Sequence, residues 1–362
     1  MATTEGMKGG GYYDEHSEYQ QRTARTAAAL IEDSVQAVSP LVAGSTFVIV
    51  DYGSSTGKNS IASVRSAVAA VRAREGDRPV ATVHNDLPTN DWNELFSNLS
   101  SRPDSYLGLA GPPVVPLASA ISFYEPAVPA GAAHLGVSFS AAHWLRTQPD
   151  VEVRGGFYFC DASGDARAAL AAQADADWTT FLTARAADLA RGGRLLVQMV
   201  GTDPQPPSAE PNVTARKLLR AMTEVAREMV DAGALERPAF ERYLLPVYAR
   251  TPDEARAPLE RSGPLADAFH VEVARTDPVS NPYLDQWHRD RDAAAYGRSY
   301  AAFVRGFTES SLRANLFEPG GRGADTGAQL DDYFGRLERR FAADPEADAF
   351  EDWTLTVVLT RR

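Results

Sequence analysis

Residues 46–50, TFVIV, form a short apolar run that leads directly into Asp51-Tyr52-Gly53-Ser54-Ser55-Thr56-Gly57, and a helical pattern follows. A buried strand, a glycine-bearing loop and a helix in that order make a nucleotide-type site. Glycine lets the backbone approach a ligand, and the first N–H groups of the helix meet the ligand's polar atoms. The spacing here, D-x-G-x-x-x-G, is not the G-x-G-x-x-G of dinucleotide enzymes, and the Lys-Ser/Thr pair of a P-loop is missing. A diphosphate is therefore not demanded. Asp86 stands directly after the next apolar run, at 79–83, where a carboxylate accepts hydrogen bonds from both hydroxyls of a ribose. Adenosine without a diphosphate points to S-adenosylmethionine. An ordinary strand-to-helix turn is the alternative for the first loop taken alone.

Other chemistries find less support. His84 neighbours Asp86, but the six histidines show no metal-ligand spacing such as H-x-x-x-H, so no metal is expected. Ser54-Ser55 is not embedded in a G-x-S-x-G elbow, which argues against a serine hydrolase. Cys160, the only cysteine, reads as a small buried hydrophobe; a lone cysteine excludes an intramolecular disulfide and a thiolate-rich metal site.

The elements that must position these residues alternate. Ala24, Ala27, Ile31, Val35 and Val38 recur at helical steps and predict a helix over 17–38, stopped by Ser39-Pro40. The run at 46–50 predicts a strand buried on both faces of a parallel sheet. Ile61, Val64, Val68 and Val71 mark a helix, 79–83 a second strand, and 91–99 a short helix. Residues 132–140 predict another strand. An Ala-rich helix from about 165 to 190 is expected to stop at Gly192-Gly193 before the strand RLLVQMV. Two late β-type runs, 269–275 and 354–360, flank a helical segment of about 289–343 and suggest a hairpin-like pair closing the sheet. The Pro-rich stretch at 203–211 and the helix after it interrupt the alternation. The interruptions are read as a helical cap over the carboxyl ends of the strands, where open α/β sheets bind ligands.

Composition sets the outer bounds. The chain has 362 residues, 44% of them hydrophobic and 23% charged, enough to build a large folded core. Asp and Glu outnumber Lys and Arg 48 to 36, a formal charge of -12 and the wrong sign for gripping a phosphate backbone; nucleic acid is not an expected partner. No apolar run approaches a membrane span and no signal peptide is visible, so a cytoplasmic protein with no membrane partner is expected. The Ala, Arg and Asp content suggests a high-GC bacterial genome. A homodimer is left open.

A second segment sharpens the reading. Residues 83–93, VHNDLPTNDWN, resemble the Asn-Asp-Leu-Pro-x-Asn-Asp-Phe-Asn signature of the SABATH family, the plant-type carboxyl methyltransferases that include salicylic acid carboxyl methyltransferase. The resemblance extends along the chain. Met7-Lys8-Gly9-Gly10 is similar to the family's amino-terminal Met-Lys/Asn-Gly-Gly, and Tyr13, Ser17 and Gln20 repeat its Tyr-x-x-x-Ser-x-x-Gln spacing. IVDYGSSTGKNS at 49–60 resembles its Ala-Asp-Leu-Gly-Cys-Ser-x-Gly-Pro-Asn-Thr loop, Ser122-Phe123-Tyr124 its Ser-Phe-Tyr, and SFSAAHWL at 138–145 its Ser-Ser-Tyr-Ser-Leu-His/Met-Trp-Leu. Weaker echoes are LARGGRLLVQMVG at 189–201 and LLPVYARTPDEA at 244–255. Ser140 stands where the plant enzymes have Tyr, Lys58 replaces a loop proline, and the segment from Gly10 to Gln20 is shorter.

The resemblance implies an α/β class I methyltransferase fold, a Rossmann-like sheet with a helical cap over the active site. It implies one domain over 1–362: a covering segment at 1–40, a cofactor-binding core at 41–201, cap insertions at 202–343 that include a sheet strand near 269–275, and a final strand within 344–362. It further implies that Ser17, Asp51, Gly53, Asn59, Asp86, Leu87, Ser122 and Phe123 surround S-adenosyl-L-methionine. Gln20 and Trp144 would hold the acceptor carboxylate through amide and indole N–H groups, with Lys8 adding charge; His143 would either line the pocket beside them or only hydrogen-bond to backbone. The expected reaction is methyl ester formation on a small apolar acid, a medium-chain fatty acid or an aromatic acid of the benzoate or salicylate kind. A carboxylic acid is already ionised near neutral pH, so its oxygen attacks the methyl in line without a general base. Holding that oxygen ~3–3.5 Å from the methyl carbon contributes on the order of 7–11 kcal/mol. The alternatives are a binding protein of the same fold without turnover, and a phenol or amine methyltransferase.

Overall fold

The computed structural model describes residues 27–153, 155–203, 212–261, 263–321 and 325–362. Seven strands build the main sheet: β1 (Phe47–Tyr52), β2 (Val80–Asp86), β3 (Val114–Ala120), β4 (Ala133–Phe139), β5 (Leu189–Val200), β8 (Phe269–Val279) and β9 (Asp352–Arg361), while β6 (Thr202–Asp203) and β7 (Asn212–Val213) form a separate two-stranded ribbon. The order is β3-β2-β1-β4-β5-β9-β8. The first five strands of the main sheet are parallel; β9 runs antiparallel between β5 and β8. The hairpin-like closure expected from sequence is therefore present as the pair β8–β9, with β9 on the inside. The order reverses at β1 and β4, and open α/β sheets bind ligands at that reversal.

Helices cover both faces. Against one lie α1 (Ala28–Ala37), α2 (Lys58–Glu75) and α3 (Trp92–Ser101), whose Ile31, Val35, Ile61, Val64, Val68 and Leu95 bury against Phe47, Ile49, Leu135, Val137 and Leu196. Against the other lies α4 (Gly164–Asp188), with Trp178, Phe181 and Leu182 on Val50, Tyr52, Val83 and Leu195. Each such side chain contributes ~1.5–3 kcal/mol when fully buried. β1 and the first half of β2 are buried on both faces, which is why they read as continuous apolar runs rather than alternations.

Further α-helices among the described residues are α5 (Arg216–Asp231), α6 (Arg237–Arg242), α7 (Pro252–Glu260), α8 (Pro264–Ala268), α9 (Pro282–Asp290), α10 (Ala293–Leu312) and α11 (Thr326–Ala343). Residues from α5, α6, α9, α10 and α11 share a third core with Trp144, Phe157, Tyr158 and Tyr248, which is the helical cap. Ala255 and Leu259 of α7 and Ala268 of α8 instead pack on the sheet.

One strand is added to those expected and one helix boundary is corrected. β3 is absent from the sequence reading because VVPLASA carries a proline and no apolar alternation; it is an edge strand, where proline is tolerated. The Ala-rich helix ends at Asp188, not at Gly192-Gly193, and the glycines lie inside β5 where its register against β4 shifts between Ala133 and Leu135. Gly192 has φ +77°, and a Cβ there would collide with the Ser39 side chain, so it marks a bulge rather than a helix stop. The described part of the first helix begins at Ala28; residues 17–26 of the expected helix lie outside the described residues.

Candidate active site

β1 delivers Asp51 and Tyr52 to the carboxyl edge of the sheet, and the chain then turns on Gly53, φ +83°. The turn is fastened by β2 and the segment after it. The Asn85 carbonyl accepts from Gly53 N–H (2.8 Å) and Ser54 N–H (3.1 Å), and the Asp86 carboxylate accepts from Ser55 N–H (2.7 Å). Asn90 donates to the Ser55 carbonyl (2.8 Å), and Asn98 to the Thr56 carbonyl (2.9 Å). Asp91 caps α3 by accepting from Glu94 N–H. The segment 83–93 is thus a clamp on the first loop. Ser55 itself sits at φ +49°, a left-handed conformation that these bonds hold in place.

Asp86 ends β2. Burial pushes its carboxyl above the usual range, while the N–H groups of Ser55 and Leu87 pull it down. Each oxygen accepts one of those bonds, at 2.7 and 2.8 Å, leaving lone pairs for a ligand. Asp51, 2% exposed, bonds to His84 at 3.2 Å, and His84 continues to Tyr106 and Thr82 in a buried polar chain. His84 therefore has a structural occupation, and among the described residues no three His, Cys, Asp or Glu side chains could hold a metal ion. Asn59 lies in the first turn of α2.

Ser122 and Phe123 follow β3. The Ser122 carbonyl accepts from Glu125 N–H (2.9 Å), which makes 122–125 a turn. A buried ion pair on α4 holds it. Arg185 donates to the Phe123 carbonyl (2.6 Å), the Glu125 carbonyl (2.7 Å) and Asp188 (2.8 Å), and Asp188 accepts from Ala127 N–H and from the Tyr52 hydroxyl (3.0 Å). The Arg185 guanidinium lies 3.8 Å from the Tyr52 ring centroid.

Trp144 occupies a turn after β4, closed by Trp144 N–H to the Ala141 carbonyl. Its backbone is stitched to residues 246–248: Leu145 N–H donates to Pro246, Tyr248 N–H to His143, and Trp144 bridges Val247. Tyr124 donates its hydroxyl to the Trp144 carbonyl at 2.6 Å. Arg250, 1% exposed, donates to the Ala142 carbonyl (2.9 Å) and across to Ala174 of α4 (2.8 Å). Burial, and secondarily the Arg250 charge, pushes His143 down to about 3, so its ring is neutral. Trp144 is 7% exposed, and its indole N–H is buried with no partner among the described residues.

The first loop also touches this turn. A Cβ built at Gly53 would lie 2.4 Å from the Ala141 Cβ. Glycine is required here for contact between loops. The structure therefore gathers Asp51, Gly53, Asp86, Leu87, Ser122, Phe123, His143 and Trp144 on the loops at the carboxyl ends of β1 to β4. Lys8, Ser17 and Gln20 lie outside the described residues. α1 packs along β5 with its carboxyl end tied to Gly192 by Ser39 N–H, so its amino end points toward the same edge of the sheet. Sequence reasoning missed Asn90, Asn98, Arg185, Asp188, Tyr124 and Arg250. The signature contains Asn90, and Arg185 and Asp188 are an i, i+3 pair in an Ala-rich helix; Arg250 carries no such signal.

The profile of a protein family described as SAM dependent carboxyl methyltransferase matches residues 2–362. The chain belongs to that family. It is 24% identical to gibberellic acid methyltransferase 2 of Arabidopsis thaliana, over 92% of this chain and 87% of that protein. It is 28% identical to jasmonate O-methyltransferase of the same plant, over 76% and 78%. The solved structure of loganic acid methyltransferase with SAH superposes with a TM-score of 0.77 at 22% identity, covering 99% of both chains, and shares the fold. This carboxyl methyltransferase is dependent on S-adenosylmethionine, and the residues after β1 and β2 fit that cofactor: the Ser54 hydroxyl and the Asn85 amide oxygen are buried without partners among the described residues, and each Asp86 oxygen accepts only one hydrogen bond there. Bound there, the cofactor supplies a sulfonium methyl group. Among the described residues no helix is long and apolar enough to cross a membrane.

Proposed function

We propose that the enzyme converts a small apolar carboxylic acid, a medium-chain fatty acid or a benzoate- or salicylate-like acid, to its methyl ester, with the acceptor carboxylate held by the indole N–H of Trp144 and the amide of Gln20. The unpartnered indole N–H carries the reading. A buried donor without an acceptor costs ~1–3 kcal/mol, and a hydrogen bond to a charged acceptor returns ~1.5–3 kcal/mol. Its backbone is pinned by the Tyr124 hydroxyl, the Ala141 carbonyl and the bridge to Val247, so the donor is held in place before the acid arrives. Gln20 lies seven residues before Ala27, a length of chain that spans at most ~25 Å.

Lys8 adds positive charge, and His143 lines the pocket as a neutral ring. Ser17, Asp51, Gly53, Asn59, Asp86, Leu87, Ser122 and Phe123 enclose the cofactor, Asp86 at the ribose. The whole chain, 1–362, works as one domain, with 1–40 covering the site and 202–343 supplying the cap except for α7, α8 and β8, which join the sheet. Binding without turnover is disfavoured by the intact donor at Trp144. A phenol or amine acceptor is disfavoured by His143: a ring with its pKa near 3 does not take a proton from a phenol.

The test is a screen of C6 to C12 fatty acids, benzoate and salicylate, with phenol and amine counterparts, for methylated product by mass spectrometry. Methyl esters are expected. His143 stays neutral above about pH 5 because its pKa is lowered, and the acid is ionised above its own pKa of about 4–5, so the rate should be flat from pH 6 to 9. Ether or N-methyl products, or a rate that tracks a group titrating between pH 6 and 8, would overturn the reading.

A further inference from the structure

We propose that Tyr124 is a positioning residue that couples cofactor binding to acceptor-carboxylate binding, by linking the Ser122–Glu125 turn to the backbone of Trp144. The proposal rests on the reading of Trp144 as a carboxylate donor. Tyr124 follows Phe123 directly, and their rings lie 4.7 Å apart. Its own ring is buried, and its hydroxyl reaches the Trp144 carbonyl at 2.6 Å. Burial raises the phenol well above its ordinary range, so it stays a donor throughout the working pH range.

The far side of the 122–125 turn is anchored by Arg185 to the Phe123 and Glu125 carbonyls and by Asp188 to Ala127 N–H. The turn therefore moves as a unit, and what stiffens Phe123 also fixes the Tyr124 hydroxyl. The Trp144 turn is met at its other end by Gly53, which abuts Ala141. Two cofactor-side loops thus hold the two ends of the turn that presents the indole. A cofactor that orders these loops leaves less orientational freedom for the acid to remove when it binds. Acid affinity should rise when the cofactor site is filled, and the Tyr124 hydroxyl should carry a measurable part of that rise.

The experiment uses the full chain and Y124F, which removes one hydroxyl and keeps the ring. Dissociation constants of benzoate and octanoate are measured with and without S-adenosylhomocysteine, alongside steady-state kinetics on the acid that the wild type methylates. In the wild type, S-adenosylhomocysteine should tighten acid binding about tenfold. In Y124F its own affinity should change by less than about twofold, the tightening should shrink ~3- to 10-fold, in line with one lost hydrogen bond, and KM for the acid should rise more than kcat falls. Direct contact between the two ligands acts equally in both proteins, so the difference isolates the link through Tyr124. A purely structural role would lower the melting temperature and leave the ratio of affinities unchanged, which would overturn the proposal. So would a wild type whose acid affinity ignores S-adenosylhomocysteine, a result that needs no variant. Failure of the wild type to esterify any acid would sink the function reading and this proposal together; ester formation with unchanged coupling in Y124F would sink the proposal alone.

Discussion

Gly53→Ala should damage both halves of the active site although it adds only a methyl group. The backbone there has φ +83°, which costs a non-glycine residue roughly 1–2 kcal/mol. The new Cβ would lie 2.4 Å from the Ala141 Cβ, against an ordinary carbon–carbon contact of ~3.5–4.0 Å, so one loop must move by about 1 Å. Overpacking of this kind costs typically ~1–3 kcal/mol. The total is ~2–5 kcal/mol. Because Ala141 opens the turn that carries Trp144, the displacement should reach the acceptor side. Calorimetry should show weaker S-adenosylhomocysteine binding, and kcat/KM for the acid should fall further than that loss explains. The two components separate in a double-mutant cycle. Ala141→Gly removes the clash but not the backbone strain, so Gly53→Ala/Ala141→Gly should recover ~1–3 kcal/mol relative to the sum of the singles. An additive cycle, or a Gly53→Ala enzyme with wild-type affinity and kcat/KM, would refute the contact between loops as the reason for this glycine.

Three further outcomes are expected. Asp86→Asn keeps the shape but removes the charge that accepts from Ser55 and Leu87, and should weaken S-adenosylhomocysteine binding by ~1.5–3 kcal/mol in a calorimetric titration. Trp144→Phe and Gln20→Ala should each lower kcat/KM ~10-fold or more with little change in cofactor affinity, and the double variant should lose less than the product of the two; independent losses in steady-state assays would assign them to separate tasks. Asp352 is buried with its carboxyl raised to about 7. Its folded state therefore binds the proton more tightly than the unfolded chain does, and stability declines as pH climbs from about 4 to 7. Asp352→Asn should accordingly stabilise the protein at pH 8, on the order of a few kcal/mol, and change little near pH 4, as read from denaturant midpoints.

What the sequence disclosed and what it hid have physical causes. Strands apolar on both faces and helices with an apolar stripe announce themselves, hence β1, β2, β4 and α2. β3 gives no such signal, because an edge strand need not be apolar on either face: Val115 and Leu117 are exposed and Pro116 interrupts it. The end of α4 was misplaced because glycine is a stop signal only where the chain leaves a helix, and here it serves a bulge. Asp86, Phe123 and Trp144 could be singled out because a motif fixes their neighbours, and the fold sets all three at the carboxyl edge of the sheet. The bonds that orient them were not: Arg185 and Arg250 look like any solvated arginine until the fold buries them, and both donate to main-chain carbonyls that no side-chain pattern records.

The interior position of β9 has a consequence for biosynthesis. Gln198 of β5 and Thr356 of β9 bond across a separation of 158 residues. At ~5–20 residues per second of translation, roughly 8–30 s pass between the appearance of β5 and that of its neighbour. During that interval β5 is a bare margin of hydrogen-bonding groups flanked by Leu195, Leu196 and Val197, the kind of surface on which nascent chains stick to one another. Yield in a heterologous host should thus depend on translation speed through the cap-coding region and on chaperone supply, more than on the stability of the finished enzyme.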